Sequence, residues 1–472
     1  MKKIIYMVCL SLGLVSCSDF LDEKLKYENS SENIFANEVL ARGALNGVYN
    51  AATYSVNLWK IGDVASDDAL KGGSDGDQSE LVGIEDFSAD RANGTLAGFW
   101  KNTFETINRA NNVIHGIATT DMDQTLKNQY IGEAKFLRAY SYFQLVNIFG
   151  KAPLKTLPQN MEGSIHIPLS DASVLYGQIE KDLGEAATAL PVSYDVNNLG
   201  RVTRGAAYGL LAKAQLYQNK YSDALGTIEL LEALNMYGLD RYTNLFKLGN
   251  ESSKETIFAI RFMSDQTPTC SNPLNQWLAP LDENGYFFDA PTQNYVDCFT
   301  EKQVNGEEDL RIDASIGREG KPWLNNDVFS SSWSPTGYLV KKHNQPLSEV
   351  PFATKGDGGL AYIYLRYADI LLMKAECLNE THKPDLAEIE LNQVRNRAGL
   401  ASVSGNGENT VRELIRTERR RELGFEFHRF FDLMRWGKEA ATAALGENFK
   451  WTEPRFYYPV PQAEYDSNQG IK

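Results

Sequence analysis

The chain has 472 residues, with 47 Lys and Arg against 62 Asp and Glu, a net charge of −15. That balance excludes a nucleic-acid partner, because phosphate binding needs a basic face. The length suits one large domain or two to three ordinary ones, and 23 tyrosines and 22 phenylalanines suit aromatic packing between helices.

The N-terminus reads as a targeting segment. Lys2 and Lys3 precede an apolar run from Ile4 to Val15, and Leu14-Val15-Ser16-Cys17 has the form of a bacterial lipobox. In that reading residues 1–16 are a signal peptide and Cys17 carries the lipid; the alternative is an ordinary secretory signal with a chance cysteine. Residues 17–33, with Ser18, Asp19, Asp22 and Glu23, form an acidic tether. No later stretch is apolar and long enough to cross a bilayer. Cys270, Cys298 and Cys377 remain. Cys377 lies in an apolar helical pattern and reads as a buried thiol, while Cys270 and Cys298 are able to pair in an oxidising compartment, though nothing demands it.

In chain order, Ile34–Thr53 carries Ala41, Ala44, Leu45, Val48 and Ala52 at helical spacing. Asn57–Phe87 lacks that period. It holds Trp59, Asp63, Asp67, Asp68 and then Gly72-Gly73-Ser74-Asp75-Gly76-Asp77, a long polar loop of the kind that often carries function. Leu96–Ile117 and Leu126–Phe149 are helical, the second closed by Gly150. Val174–Leu190 is a shorter amphipathic helix. Arg201–Leu231 has the spacing of a tetratricopeptide-like hairpin, with Ala212 and Ala224 small where the two helices meet. Leu210-Leu211-Ala212-Lys213-Ala214 is echoed by Leu371-Leu372-Met373-Lys374-Ala375. Residues 250–361 differ: one candidate strand, Thr256–Phe262, and then Trp277, Tyr286, Phe287, Phe288, Tyr295, Trp323 and Trp333 among Gly, Pro, Asn and Asp without a lasting period.

Arg412–Gly437 concentrates the tension in the sequence. Eight of its first eleven residues are charged, and Phe425, Phe427, Phe430, Phe431 and Trp436 follow. Glu418 with Arg421, and Arg419 with Glu422, stand three apart, as neighbours on a helix do. The pattern fits a helix lying between other helices, where each guanidinium finds a carboxylate or carbonyl. A second reading is an anion site built from Arg416 and Arg419–Arg421.

The run ERRRELGFEFHRFFDLMRWG, Glu418–Gly437, resembles the signature of the SusD/RagB family of outer-membrane glycan-capture lipoproteins. FLRAYSYFQLVNIFGKAPL (Phe136–Leu154), LRYADILLMKAECLNE (Leu365–Glu380), LNQVRNRAGL (Leu391–Leu400) and the terminal Phe456–Glu464 segment resemble it too. The resemblance implies a mainly α, tetratricopeptide-like scaffold over 34–249 and 362–472. Residues 250–361 are then a loop-rich insertion with a few short strands. It further implies a non-catalytic protein that captures oligosaccharide or polysaccharide and passes it to a TonB-dependent, SusC-like outer-membrane transporter. Peptide capture, as in RagB-like members, is the alternative within the family. A surface glycoside hydrolase and a protein–protein adaptor are alternatives from other classes.

No motif contradicts the absence of chemistry. Gly72–Gly76 matches the G-x-S-x-G elbow but lacks the apolar strand before it. Asp75 and Asp77 match only part of a calcium loop, and five dispersed histidines form no zinc pattern, so neither metal nor cofactor is expected. Acids for a glycosidase pair are plentiful, yet no pair stands out. Glycan binding asks instead for flat rings against sugar C–H faces and polar groups for the hydroxyls. The candidate ligand residues are therefore Trp59, Asp67 and Asp68 in the first loop and Trp277, Tyr286, Tyr295 and Trp323 in the insertion. Trp100 and Trp436, on regular patterns, are assigned to the core. Cys17→Ala is expected to abolish lipid labelling and release the protein from the membrane fraction; an acylated variant would refute the lipobox.

Overall fold

The computed structural model describes residues 34–250, 252–264, 270–324, 327–351, 354–446 and 449–471. The signal peptide, Cys17 and the tether lie outside the described residues. Helices dominate. The N-terminal part stacks α1 (Glu38–Ala52), α2 (Gly94–Thr119), α3 (Gln124–Phe149), α4 (Ala172–Ala189), α5 (Arg204–Leu216) and α6 (Tyr221–Glu232), each against the next. Asn37, Asn93 and Asp123 start α1, α2 and α3 by accepting hydrogen bonds from backbone N–H groups of the first turn. Gly150 ends α3 at φ 71°, a left-handed position where glycine carries no Cβ penalty. Every residue of α3 from Phe136 to Phe149 is buried, so this helix is enclosed on all sides, as its composition demanded.

The C-terminal part continues the stack. Helix α7 (Tyr367–Glu380) lies against α6 and pairs with α8 (Pro384–Arg397), and α9 (Glu408–Leu423) packs on both. Ala212, Ala224 and Ala387 are fully buried at the helix contacts, as small residues must be where backbones approach. The two echoed segments sit on α5 and α7, helices joined by a buried ion pair, Lys213 Nζ to Asp369 Oδ2 at 2.9 Å. The fold is the helical, tetratricopeptide-like scaffold expected.

Among the described residues, four two-stranded antiparallel ribbons decorate the helices. They pair β1 (Ala69–Gly72) with β5 (Phe288–Pro291), and β2 (Lys151–Pro153) with β3 (Leu169–Asp171). They also pair β4 (Thr256–Ile260) with β8 (Tyr362–Arg366), and β6 (Ile316–Gly317) with β7 (Leu339–Val340). The β4–β8 pair matters most for organisation. It joins the two ends of the 250–361 segment, with Thr256 opposite Arg366 and Ile260 opposite Tyr362. The segment thus leaves and re-enters the helical stack at one place.

The Arg412–Gly437 stretch is not one helix. Helix α9 stops at Leu423, and α10 (Arg429–Trp436) starts after a five-residue break; α11 (Lys438–Leu445) follows. In the break Phe425 and Phe427 hold φ of 60° and 69°, a conformation costly for bulky residues. Packing over-determines it. Phe425 stands edge-on to Tyr295 at 4.7 Å, and Phe427 stacks on Tyr362 at 4.9 Å. A Cβ on Gly62 would lie 2.2 Å from the Phe427 carbonyl oxygen, so glycine alone permits that approach.

Nor do Glu418 and Arg421, or Arg419 and Glu422, pair with each other along the helix. Glu418 binds Arg311 at 2.6 Å and Arg395 at 3.3 Å, and Arg421 binds Glu301 at 2.6 Å. Glu422 takes Arg366, Arg311 and Arg397; Glu426, in the break, takes Arg366 and Lys342, both at 2.7 Å. Arg419 bridges Asp369 and Asp432. The structural reading therefore holds for Arg419 and Arg421, with partners from other segments. Burial pushes the Glu422 and Glu426 carboxyls up, but the surrounding cations overrule it. Glu426 is held at about 2, and Glu422 lies well below the carboxylate range. A depressed folded value means stability that is full above the unfolded carboxyl range and lost as pH falls through the folded one. Arg366→Met is expected to cost about 3–5 kcal/mol at pH 7, because Glu255, Glu422 and Glu426 lose a buried partner. The deficit should shrink as pH falls toward 2 in urea titrations; a pH-independent deficit would mean lost packing alone.

Candidate functional site

The 57–87 segment and the 250–361 insertion form one structure. The first segment is not the open loop expected; it holds a 3₁₀ turn (Thr53–Leu58), a helical turn (Trp59–Gly62), β1 and a further turn (Glu80–Glu85). Strand β1 pairs with β5 in the register Ala69 to Pro291, Leu70 to Ala290 and Gly72 to Phe288. Gly72, at φ 67°, meets the Phe287 carbonyl so closely that a Cβ would lie 2.2 Å from it. Beyond the strands, the backbone N–H of Thr292 donates to Asp68 O at 2.8 Å, and its hydroxyl donates to Asp67 O at 2.7 Å.

This pairing decides where the candidate ligand residues go. Trp59 is 1% exposed, stacked on Phe288 at 5.8 Å and tilted against Trp277 at 6.2 Å. Tyr295 is fully buried under the Phe425 turn. Trp323 is 3% exposed, packed with Phe329 and Trp333, and donates its ring N–H to Glu283 at 3.0 Å. These three rings are packing elements, and the assignment of ligand contact to them is corrected on that ground. Asp68 is fully buried and accepts from Arg420 Nε at 2.6 Å, while Asp67 accepts both Nε (2.7 Å) and Nη2 (2.9 Å) of Arg429. Both acids thus serve ion pairs. Two of the seven remain at the surface: Tyr286, 43% exposed, and Trp277, half-buried. Trp100 is in the core as expected, but Trp436 is only half-buried. Cys298 is a free thiol not bonded to Cys270, and Cys377 is buried.

Around the two surface rings the structure adds groups that the sequence reading missed. Lys60 Nζ sits 5.6 Å from the ring centres of both Trp59 and Trp277 and donates to Gln78 at 3.4 Å. Lys71 lies over Phe288. Lys60 and Gln78 also line an adjoining polar cleft of about 280 Å³ with Asn57, Glu80 and Asn102. The one signal in the sequence was a cation directly following Trp59. A larger, mostly apolar groove of about 480 Å³ lies elsewhere, between α2 and the 155–167 segment. Its aromatic edge is already engaged, Trp100 donating to Glu464 and Lys155 covering Phe104.

Comparison with known proteins bears on the family. Residues 254–472 match the family described as SusD family, and residues 19–216 match the one described as starch-binding associating with outer membrane. The chain belongs to the SusD/RagB family. SusD-like protein P25 of Formosa agariphila is 24% identical, over 92% of this chain and 90% of that one. A laminarin-binding SusD-like protein of known structure is 26% identical, with a TM-score of 0.80 over 93% of this chain and 99% of its own. Surface glycan-binding protein A of Bacteroides thetaiotaomicron, solved in complex with laminarihexaose, is 23% identical with a TM-score of 0.77, over 92% and 98%.

Beneath the β1–β5 junction of this family member lies an unusual acidic group. Asp63, Asp68 and Asp289 are fully buried, and both carboxyl oxygens of Asp63 and Asp289 and Oδ2 of Asp68 have no hydrogen-bond partner among the described residues. Burial, and then the neighbouring acids, push the Asp63 and Asp289 carboxyls well above their ordinary range; burial also raises Asp68 despite Arg420. Raised acids contribute stability that is full below the unfolded carboxyl range and lost as pH rises through their folded values. Asp63→Asn is therefore expected to gain stability relative to the native chain as pH rises from 5 to 8, by about 1 kcal/mol or more. Melting curves at several pH values check this, and parallel curves for the two proteins would refute it.

Proposed function

We propose that this protein captures oligosaccharides on the face made by Trp277 and Tyr286 with Lys60 and the adjoining polar cleft, without turning them over. It then hands them to a TonB-dependent transporter in the outer membrane, held there by lipid on Cys17. Residues 34–472 act as one unit in this reading. The observation that carries it is the exposure of Tyr286 beside Trp277, where the other aromatic candidates of the junction are buried. A sugar ring laid on such a surface removes apolar area from water, and its hydroxyls find Gln78, Asn57 and the Lys60 ammonium within the same cleft. The glycans bound by the laminarin-binding and laminarihexaose-complexed relatives support the same ligand class. Delivery and anchoring rest on the family resemblance and on the lipobox.

A preformed ring surface loses little entropy when ligand arrives. Tyr286→Ala and Trp277→Ala are expected to weaken oligosaccharide binding at least tenfold, about 1.4 kcal/mol. Tyr286→Ala should leave the melting temperature unchanged. Trp323→Ala should instead destabilise the fold by about 3–5 kcal/mol, as large-to-small core changes do. Calorimetric titration against neutral oligosaccharides and peptides, beside melting curves, makes the test. Undiminished affinity in both surface variants, or binding of peptides alone, would sink the reading.

A further inference from the structure

A second concave site lies across α9 from the buried charge cluster, between α9, α10 and α11. It is an open cleft of about 500 Å³, within the size range of small-molecule sites. Its walls carry Arg416, Arg420, Arg429, Trp436, Asn294 and Thr417. The two inner arginines are fixed from behind. Arg420 gives Nε–H to Asp68 and Nη2–H to Asn294 at 2.7 Å, and Arg429 gives Nε–H and Nη2–H to Asp67. Each is thereby oriented while its Nη1 edge makes no hydrogen bond among the described residues. A guanidinium has five N–H groups and never loses its charge, so the spare edges are permanent donors.

Arg416 is different. Its ion pair is with Glu413, a rim residue whose side chain is 67% exposed, and such pairs hold little. Its Nε–H is buried and has no acceptor among the described residues. What holds it is Trp436: the guanidinium lies 5.0 Å from that ring, and Arg429 lies 5.9 Å from it. A scaffold arginine would have its fork closed by a buried acid, as Arg419 and Arg366 do. Here the guanidinium is stacked on a half-buried indole and lines an open cleft. The acids on the wall, Asp67 and Glu413, are already paired, and they leave the guanidiniums in excess.

We propose that this cleft is an oxyanion subsite that takes a negatively charged sugar unit, a uronate carboxylate or a sulfate ester. Arg416 supplies a guanidinium held against Trp436, and the Nη1 edges of Arg420 and Arg429 supply further donors. Planar, bidentate recognition of such oxyanions is what a guanidinium does better than an ammonium. The proposal rests on the glycan reading above and specifies its ligand: acidic rather than purely neutral saccharides.

The test titrates the native protein, Arg416→Gln and Arg416→Lys with three probes. They are an unsulfated uronate oligosaccharide, its carboxyl-reduced neutral form, and a sulfated neutral oligosaccharide, each at low and moderate salt. The native protein should bind at least one charged probe at least tenfold more tightly than the reduced form, with the preference falling as salt rises. Arg416→Gln should erase the preference and Arg416→Lys restore only part of it, both melting as the native protein does. The sulfated arm separates carboxylate from sulfate as the group recognised. Equal binding of charged and reduced probes by the native protein, or an undiminished preference in Arg416→Gln, would overturn the subsite. In that case neutral binding that still depends on Tyr286 leaves the glycan reading standing, whereas failure of every saccharide removes both.

Discussion

The structure depends on the desolvated carboxylates of Glu418, Glu422 and Glu426. All three are at most 1% exposed, and a buried charge without a partner is among the most costly features a fold can contain. Glu418 and Glu422 lie on α9 and Glu426 in the turn after it, so the spacing aims them at different neighbours. Arg311 and Lys342 come from the insertion, Arg366 from β8, and Arg395 and Arg397 from α8. Moving any of those segments away from α9 leaves a charge uncompensated. The helical stack and the insertion are therefore locked to one short run of residues, and Arg420 and Arg429 lock the first segment to the same run through Asp67 and Asp68.

That locking explains the division of labour among the aromatics. Where two irregular segments are pinned side by side, the space between them must be filled. Trp59, Phe288, Tyr295 and Phe425 fill it, in stacked and edge-on contacts. Rings left at the margin, Tyr286 and Trp277, keep a face toward solvent. The proposed binding face is thus set by how the junction closes.

The buried acids fall into two classes that titrate in opposite senses. Glu422 and Glu426 have several cations each and are held low, so acid weakens them. Asp63 and Asp289 lie a short way off without a bonded cation and are pushed up, so the folded state keeps protons that the unfolded chain releases. Stability is consequently squeezed from both sides of the pH scale, and the β1–β5 junction contains the alkaline-sensitive half.

Much of this was legible in the sequence. Helical period, capping residues and the small alanines specify the stacked hairpins, because those signals act within one or two turns of the chain. The density of Arg and Glu in 412–437 declared that a charged helix would be buried, since no solvated helix carries so many phenylalanines. The broken helix at Phe425–Phe427 was not legible, because a left-handed phenylalanine is disfavoured locally and is stabilised by residues that arrive from elsewhere, Gly62, Tyr295, His343 and Tyr362 among them. Nor was the fate of Trp59, Tyr295 and Trp323. A tryptophan among glycines and aspartates reads the same whether it faces water or a partner strand, and the β1–β5 register links residues more than two hundred positions apart. Composition and period determined the scaffold and the need for buried ion pairs. Tertiary structure alone chose the partners, and with them the rings that remain outside, because exposure depends on which distant surfaces meet.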